Sequence, residues 1–131
     1  MSLIKTTTTL IIFCLLITTL AYAQTAEDYF DSARDKYDKQ DYKGAILDFN
    51  KAIELSPNYA GTYYNRGVAK GKLQDYSGAI QDYNKAIELK PNYFSAYYNR
   101  GFAKAELQDY RGAIQDFNKA IEIKVNLYKM V

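Results

Sequence analysis

Histidine is absent from the 131 residues, and with it the commonest general base and the commonest zinc ligand. A single cysteine, Cys14, leaves no disulfide framework to build, and no Asn-x-Ser/Thr sequon marks a glycosylation site. No lysine or arginine run can track a phosphate backbone. The 17 basic and 15 acidic residues are interspersed and the net charge is +2, so a nucleic-acid partner is not expected. Glycine-rich phosphate loops and metal-ligand clusters are missing too, so neither a metal, nor a cofactor, nor catalysis is expected. Carboxylates such as Asp48 and Glu54 read as solvated side chains with helical charge partners. Period-two alternation is also lacking, which excludes strands. What is present is bulk: 14 tyrosines and six phenylalanines, enough to fold one compact domain rather than leave the chain disordered.

The first 23 residues read as an export signal. One lysine, Lys5, precedes an apolar run from Leu10 to Ile17 that continues to Leu20, and Ala21-Tyr22-Ala23 forms a small-x-small cleavage pattern before Gln24. That run is about a dozen residues, short of the roughly 20 a spanning helix requires, so membrane contact is expected only transiently through this segment. Cys14 follows bulky Phe13 in mid-run, which argues against lipidation. The expected location is secreted or periplasmic. Removing the segment takes away Lys5 and the only thiol, a composition suited to an oxidising compartment.

The rest of the chain repeats itself. Tyr63-Tyr64-Asn65-Arg66-Gly67 recurs 34 residues on as Tyr97-Tyr98-Asn99-Arg100-Gly101, and Asn50-Lys51-Ala52-Ile53-Glu54 recurs at Asn84 and again at Asn118. Pro57 and Pro91 keep the same spacing. Three copies result, 26–59, 60–93 and 94–127, with 128–131 as a continuation of the last helix. A fixed period of this length signals stacked supersecondary units. In the second copy, helix A is expected from about Ala60 to Leu73. Asp75 caps the next helix start, and helix B runs from about Ser77 until Pro91 ends it. Ala79, Ile80, Tyr83, Ala86 and Ile87 share one face of helix B. Gly67, Gly101, Ala45, Ala79 and Ala113 are small where helices approach. Tyr29, Tyr63 and Tyr97 of helix A and Phe49, Tyr83 and Phe117 of helix B are their bulky complements.

These markers resemble the tetratricopeptide repeat: Tyr63, Gly67, Ala79, Tyr83, Ala86 and Pro91 in copy two, with matching positions in the other copies. The resemblance implies an all-α fold, three helix-turn-helix repeats in a short right-handed α-solenoid. Departures are regular. Ser32, Arg66 and Arg100 stand where the family has leucine, and Lys36, Lys70 and Lys104 where it has tyrosine. Ala33 replaces the first glycine. Val125 replaces the last proline, so the final helix is expected to continue to about Lys129.

The resemblance further implies an interaction module whose helices A line a concave face for a protein or peptide partner. The side chains expected there are Phe30, Arg34, Tyr37, Tyr64, Asn65, Val68, Lys72, Tyr98, Asn99, Phe102 and Glu106, with Glu27 and Asp38 beside them; Tyr64 and Tyr98 have the competing prospect of packing between helices. Tyrosine and phenylalanine give large contact areas at low entropic cost. The carboxylate clamp of some family members maps onto Phe30, Arg34, Asn65, Ser95 and Asn99. Only Asn65 matches, which argues against a chaperone-tail receptor. An alternative is self-association as a homo-oligomer in an envelope assembly, through copy three with Leu127, Tyr128, Met130 and Val131.

Overall fold

The computed structural model describes residues 1–22 and 24–131, with side chains for 1–15 and 24–131. The expected cleavage point after Ala23 lies outside the described residues. Seven helices and no strand occur among them: α1 (Ser2–Tyr22), α2 (Ala26–Asp38), α3 (Tyr42–Leu55), α4 (Ala60–Lys72), α5 (Tyr76–Leu89), α6 (Phe94–Glu106) and α7 (Tyr110–Lys129). No helix among the described residues is long and apolar enough to cross a membrane. From α2 onward each helix packs on the next, and α4 also touches α6. That is the contact pattern of an α-solenoid of three helix pairs rather than of a closed bundle.

The hairpin turns show why the Gln-Asp-Tyr-x-Gly-Ala segment recurs. Gln40, Gln74 and Gln108 adopt left-handed φ values of 64°, 62° and 64°. In the second repeat Gln74 N–H donates to the Gly71 carbonyl and Asp75 N–H to that of Lys70, closing α4 with a Schellman motif. Asp75 is at once the N-cap of α5, its carboxylate accepting from Gly78 N–H at 2.9 Å. A Cβ on Gly78 would meet that carboxylate at 2.2 Å, so cap and glycine require each other. Helix B thus begins at Tyr76, one residue before the sequence expectation.

The core is built mainly from alanines, with Phe49 the largest fully buried side chain. Small residues let the helix pairs close up so that a ring from helix B seals against helix A. A Cβ on Gly67 would lie 2.8 Å from the Tyr83 ring, and one on Gly101 2.9 Å from the Phe117 ring. Tyr63 and Tyr97 have another setting than expected: they are half-buried, with the Arg66 and Arg100 guanidinium groups 5.7 Å and 5.2 Å from their ring centres.

The departures from the family pattern prove to be coupled. Arg66 and Lys70 lie one turn apart on α4 and both reach buried Asp82 on α5. Arg66 donates to its two oxygens at 2.9 Å and 2.6 Å, and Lys70 lies at 2.9 Å. The third Arg66 donor reaches Asn50 of the preceding repeat at 2.7 Å. Arg100 and Lys104 repeat the arrangement on Asp116, with Asn84 as the link back. In the first repeat Ser32 and Lys36 hold Asp48 at 2.6 Å and 2.7 Å. Asp48 is therefore no solvated carboxylate, whereas Glu54 does pair along its own exposed surface with Lys51. Burial opposes the charge of Asp48 and Asp116, but the hydrogen bonds from their cationic partners outweigh it. Both carboxyls stay below the usual range.

The outward side of α2 differs in kind. Thr62 and Ala69 of α4, and Ala96 and Ala103 of α6, are buried against the preceding repeat. The same repeat positions on α2 are Asp28 and Asp35, both exposed. Two carboxylates replace the small buried residues, giving this side of the stack a polar outer face.

Candidate partner-binding groove

Side chains of α2, α4, α5 and α6 enclose a groove of about 270 Å³. Tyr37 comes from α2, Val68, Gly71 and Lys72 from α4, Tyr76, Ala79 and Tyr83 from α5, and Asn99, Phe102 and Ala103 from α6. Phe102 is 53% exposed and stands at the open side of this groove. Tyr37 packs edge-on against Tyr42 at 5.2 Å between ring centres, which fixes its orientation at one end. Burial, reinforced by the Glu106 carboxylate, raises the Tyr76 hydroxyl above its ordinary value, so it is a neutral hydrogen-bonding group at physiological pH. Val68 and Phe102 supply apolar contact, while Lys72 and Tyr76 supply polar ends.

Five of the residues named from sequence meet here: Tyr37, Val68, Lys72, Asn99 and Phe102. The others have different settings. Tyr64 is wedged between Tyr83 and Tyr93, with ring centres 6.0 Å and 5.0 Å away, and its hydroxyl accepts from the Asn99 amide at 3.0 Å. It joins repeats two and three rather than presenting a free ring. Asn65 donates to the Gly61 carbonyl of its own helix at 2.7 Å. Phe30 stands edge-on to Phe49 and Tyr59, each 5.8 Å away, and lines a separate cleft between the first two repeats. Tyr98 packs on Phe117 and Phe94 and lines a third cleft beside Ile121 and Lys124. Arg34 and Glu106 are exposed and line none of these clefts.

Sequence reasoning missed the contribution of helix B. Tyr76 and Tyr83 belong to α5, yet they close the groove between successive helices A. The recurrence of tyrosine at the start of each helix B, Tyr42, Tyr76 and Tyr110, was the available signal.

The family model described as TPR repeat matches residues 33–74 and 71–108, and the tetratricopeptide repeat model matches 94–126. The chain belongs to the tetratricopeptide repeat family. Among solved structures it is similar to MamA, at 28% identity and a TM-score of 0.79 over 80% of this chain; it spans 61% of the MamA chain. It is similar also to the first TPR of Spaghetti (RPAP3), solved bound to the HSP90 peptide SRMEEVD. That match has 27% identity and a TM-score of 0.76, over 79% of this chain and 82% of that one. The TPR2B domain of yeast Sti1, in complex with pHsp70, gives 29% identity and a TM-score of 0.76, over 79% and 83%. A search of curated proteins returned no match.

Proposed function

We propose that this chain is an exported protein-interaction module that holds a peptide or protein partner along the concave side of its helices A and performs no chemistry of its own. The observation that carries the reading is the groove of Tyr37, Val68, Lys72, Tyr76, Asn99 and Phe102, in which a half-exposed phenylalanine and an exposed lysine stand over partly buried side chains. Exposed aromatics in a concave, preformed site are the usual anchors of recognition. The fold itself supports a peptide ligand, since related repeats of similar geometry were solved with bound peptides. Those peptides are not the expected ligand here. The amides of Asn65 and Asn99 are engaged by Gly61 and Tyr64, and Phe30 stands at a position where a clamp carries lysine. Export rests on the apolar segment before Ala21-Tyr22-Ala23.

The test is affinity capture from an envelope fraction with wild type and with a Phe102→Ala, Lys72→Ala variant. Loss of the captured partner by a variant with an unchanged thermal melt supports the groove. Equal recovery by both proteins removes it.

A second reading, self-association, is favoured by one surface. Ile114, Ile121, Val125 and Tyr128 share one side of α7 and are all exposed. Light scattering of the wild type and of Ile121→Glu decides it: a concentration-dependent rise in mass that the variant abolishes supports association, and a monomer at every concentration ends it.

A further inference from the structure

Between α2, α3 and α4 lies a cavity of about 350 Å³, lined among others by Phe30, Ala52, Ser56 and Tyr59, with Glu27 and Asp31. The next repeats carry a lysine at the edge of its equivalents, and in the third repeat the equivalent cleft, about 370 Å³, stays open beside that lysine. At the repeat position of Ser56 the second repeat carries Lys90, whose ammonium lies 4.6 Å from the centre of the Tyr93 ring. The third carries Lys124, 5.7 Å from the centre of the Phe94 ring. Tyr59 is the counterpart of Tyr93, and among the described residues no cation stands over it.

The charge around the cavity changes with it. Glu27 and Asp31 replace Gly61 and Asn65 of the second repeat and Ser95 and Asn99 of the third. Neither carboxylate has an ion-pair partner among the described residues. Asp28 already completes the capping box with Thr25; Glu27, in the first turn, also suits the helix dipole, but Asp31 lies beyond that turn and has no such role. The first repeat has thus lost an internal lysine and gained two acids around the same aromatic floor.

We infer that this cavity receives a lysine or arginine side chain from the partner peptide. The cationic head lies against the Tyr59 ring between Glu27 and Asp31, and the aliphatic stem lies along Phe30 and Ala52. A cation on an aromatic face gains most where water is partly excluded, and two carboxylates of one sign select it over an acidic side chain. This inference rests on the reading of the concave side as a peptide-binding surface, and it gives that peptide a basic residue next to the segment held in the groove.

The experiment is selection of random heptapeptides on the immobilised full-length chain. It is run in parallel on Glu27→Gln, Asp31→Asn and on Ser56→Lys, whose introduced side chain has Lys90 as its structural precedent. The wild type is expected to enrich peptides with lysine or arginine at one register. A synthetic copy of the best peptide should lose about tenfold in affinity when that residue becomes norleucine, and lose as much on either variant, with a steep salt dependence. Unchanged thermal melts exclude misfolding as the cause. Enriched peptides that have no basic residue, or whose affinity neither variant alters, overturn this inference and leave the groove standing. A wild type that enriches nothing overturns both.

Discussion

Asp82→Ala tests whether the polar ladder is structural. The Asp82 side chain is 4% exposed and serves two cations, Arg66 at 18% and Lys70 at 20%. Removing it leaves a guanidinium and an ammonium side by side, with the Asn50 hydrogen bond and the Tyr63 ring remaining to Arg66. Breaking a buried pair by deleting one partner costs about 3–5 kcal/mol. The partial exposure of both cations places the loss at the low end, about 3 kcal/mol, or roughly 12 °C of melting temperature for a repeat domain of this size. The triple change Arg66→Leu, Lys70→Tyr, Asp82→Ala removes every charge together and restores the family's residues on α4. Replacing a buried ionic group whole by apolar residues is neutral or stabilising by about 1–4 kcal/mol. Urea unfolding followed by circular dichroism gives both numbers. The sign reversal is the diagnostic: an Asp82→Ala loss below about 1 kcal/mol, or a triple variant as weak as the single, refutes the claim that isolated charge is what the network prevents.

Gln74→Gly removes a left-handed φ from a residue with a Cβ and should stabilise by about 0.5–1 kcal/mol in thermal melts; a loss would mean the glutamine side chain has a role of its own. Gly67→Ala drives a Cβ to 2.8 Å from the Tyr83 ring and should cost about 1–3 kcal/mol by the same assay, against no cost at exposed Gln81. The carboxyl of Asp116 is depressed by Arg100 and Lys104 against the opposing effect of burial. Its contribution is therefore complete above the unfolded carboxylate value of 3.8 and is lost as pH falls through the lower folded value; Asp116→Asn should flatten stability against pH below about 4. Burial raises the Tyr93 hydroxyl to about 12, so its contribution is whole below the unfolded value of 10.0 and fades as pH rises towards 12. Absorbance at alkaline pH should show this tyrosine ionising with unfolding, and Tyr93→Phe should delay that unfolding.

The helices were readable because their determinants are local. The Asp caps, the prolines after α3 and α5 and the alanine-aromatic spacing all act within a turn or two of where they are written. Pairing across helices was not. Arg66 and Asp82 are 16 residues apart, and nothing in either segment alone marks them as partners. Comparison between copies contained the hint: the basic pair one turn apart is always followed by aspartate at the same distance, and Ser32 loses the guanidinium without losing Asp48. The groove was half legible for a related reason. Tyr64 and Tyr98 are the same letter at the same repeat position, yet Tyr64 is closed in by Tyr93 and Asn99 while Tyr98 remains exposed. In a solenoid, burial is decided by the neighbouring unit, so a residue's fate depends on sequence 34 positions away.

That dependence also separates stability from recognition. The stack closes through alanines, through the Tyr83 and Phe117 rings sealed on glycine, and through carboxylates gripped by cations. Phe102 takes little part in this: about half its surface faces water, whereas Val68, at the same repeat position one unit back, packs against the Ala79, Tyr83 and Ala103 cluster. Half exposed, Phe102 contributes to folding only about half of what full burial gives, about 1 kcal/mol, because hydrophobic stabilisation scales with the area withdrawn from water. It gains the rest only when a ligand covers it. Phe102→Ala should therefore shift the unfolding midpoint less than Gly67→Ala while weakening partner binding more, and the ordering of the two variants should invert between the two assays. If both orderings agree, the groove aromatics belong to the core and recognition must be sought on another face.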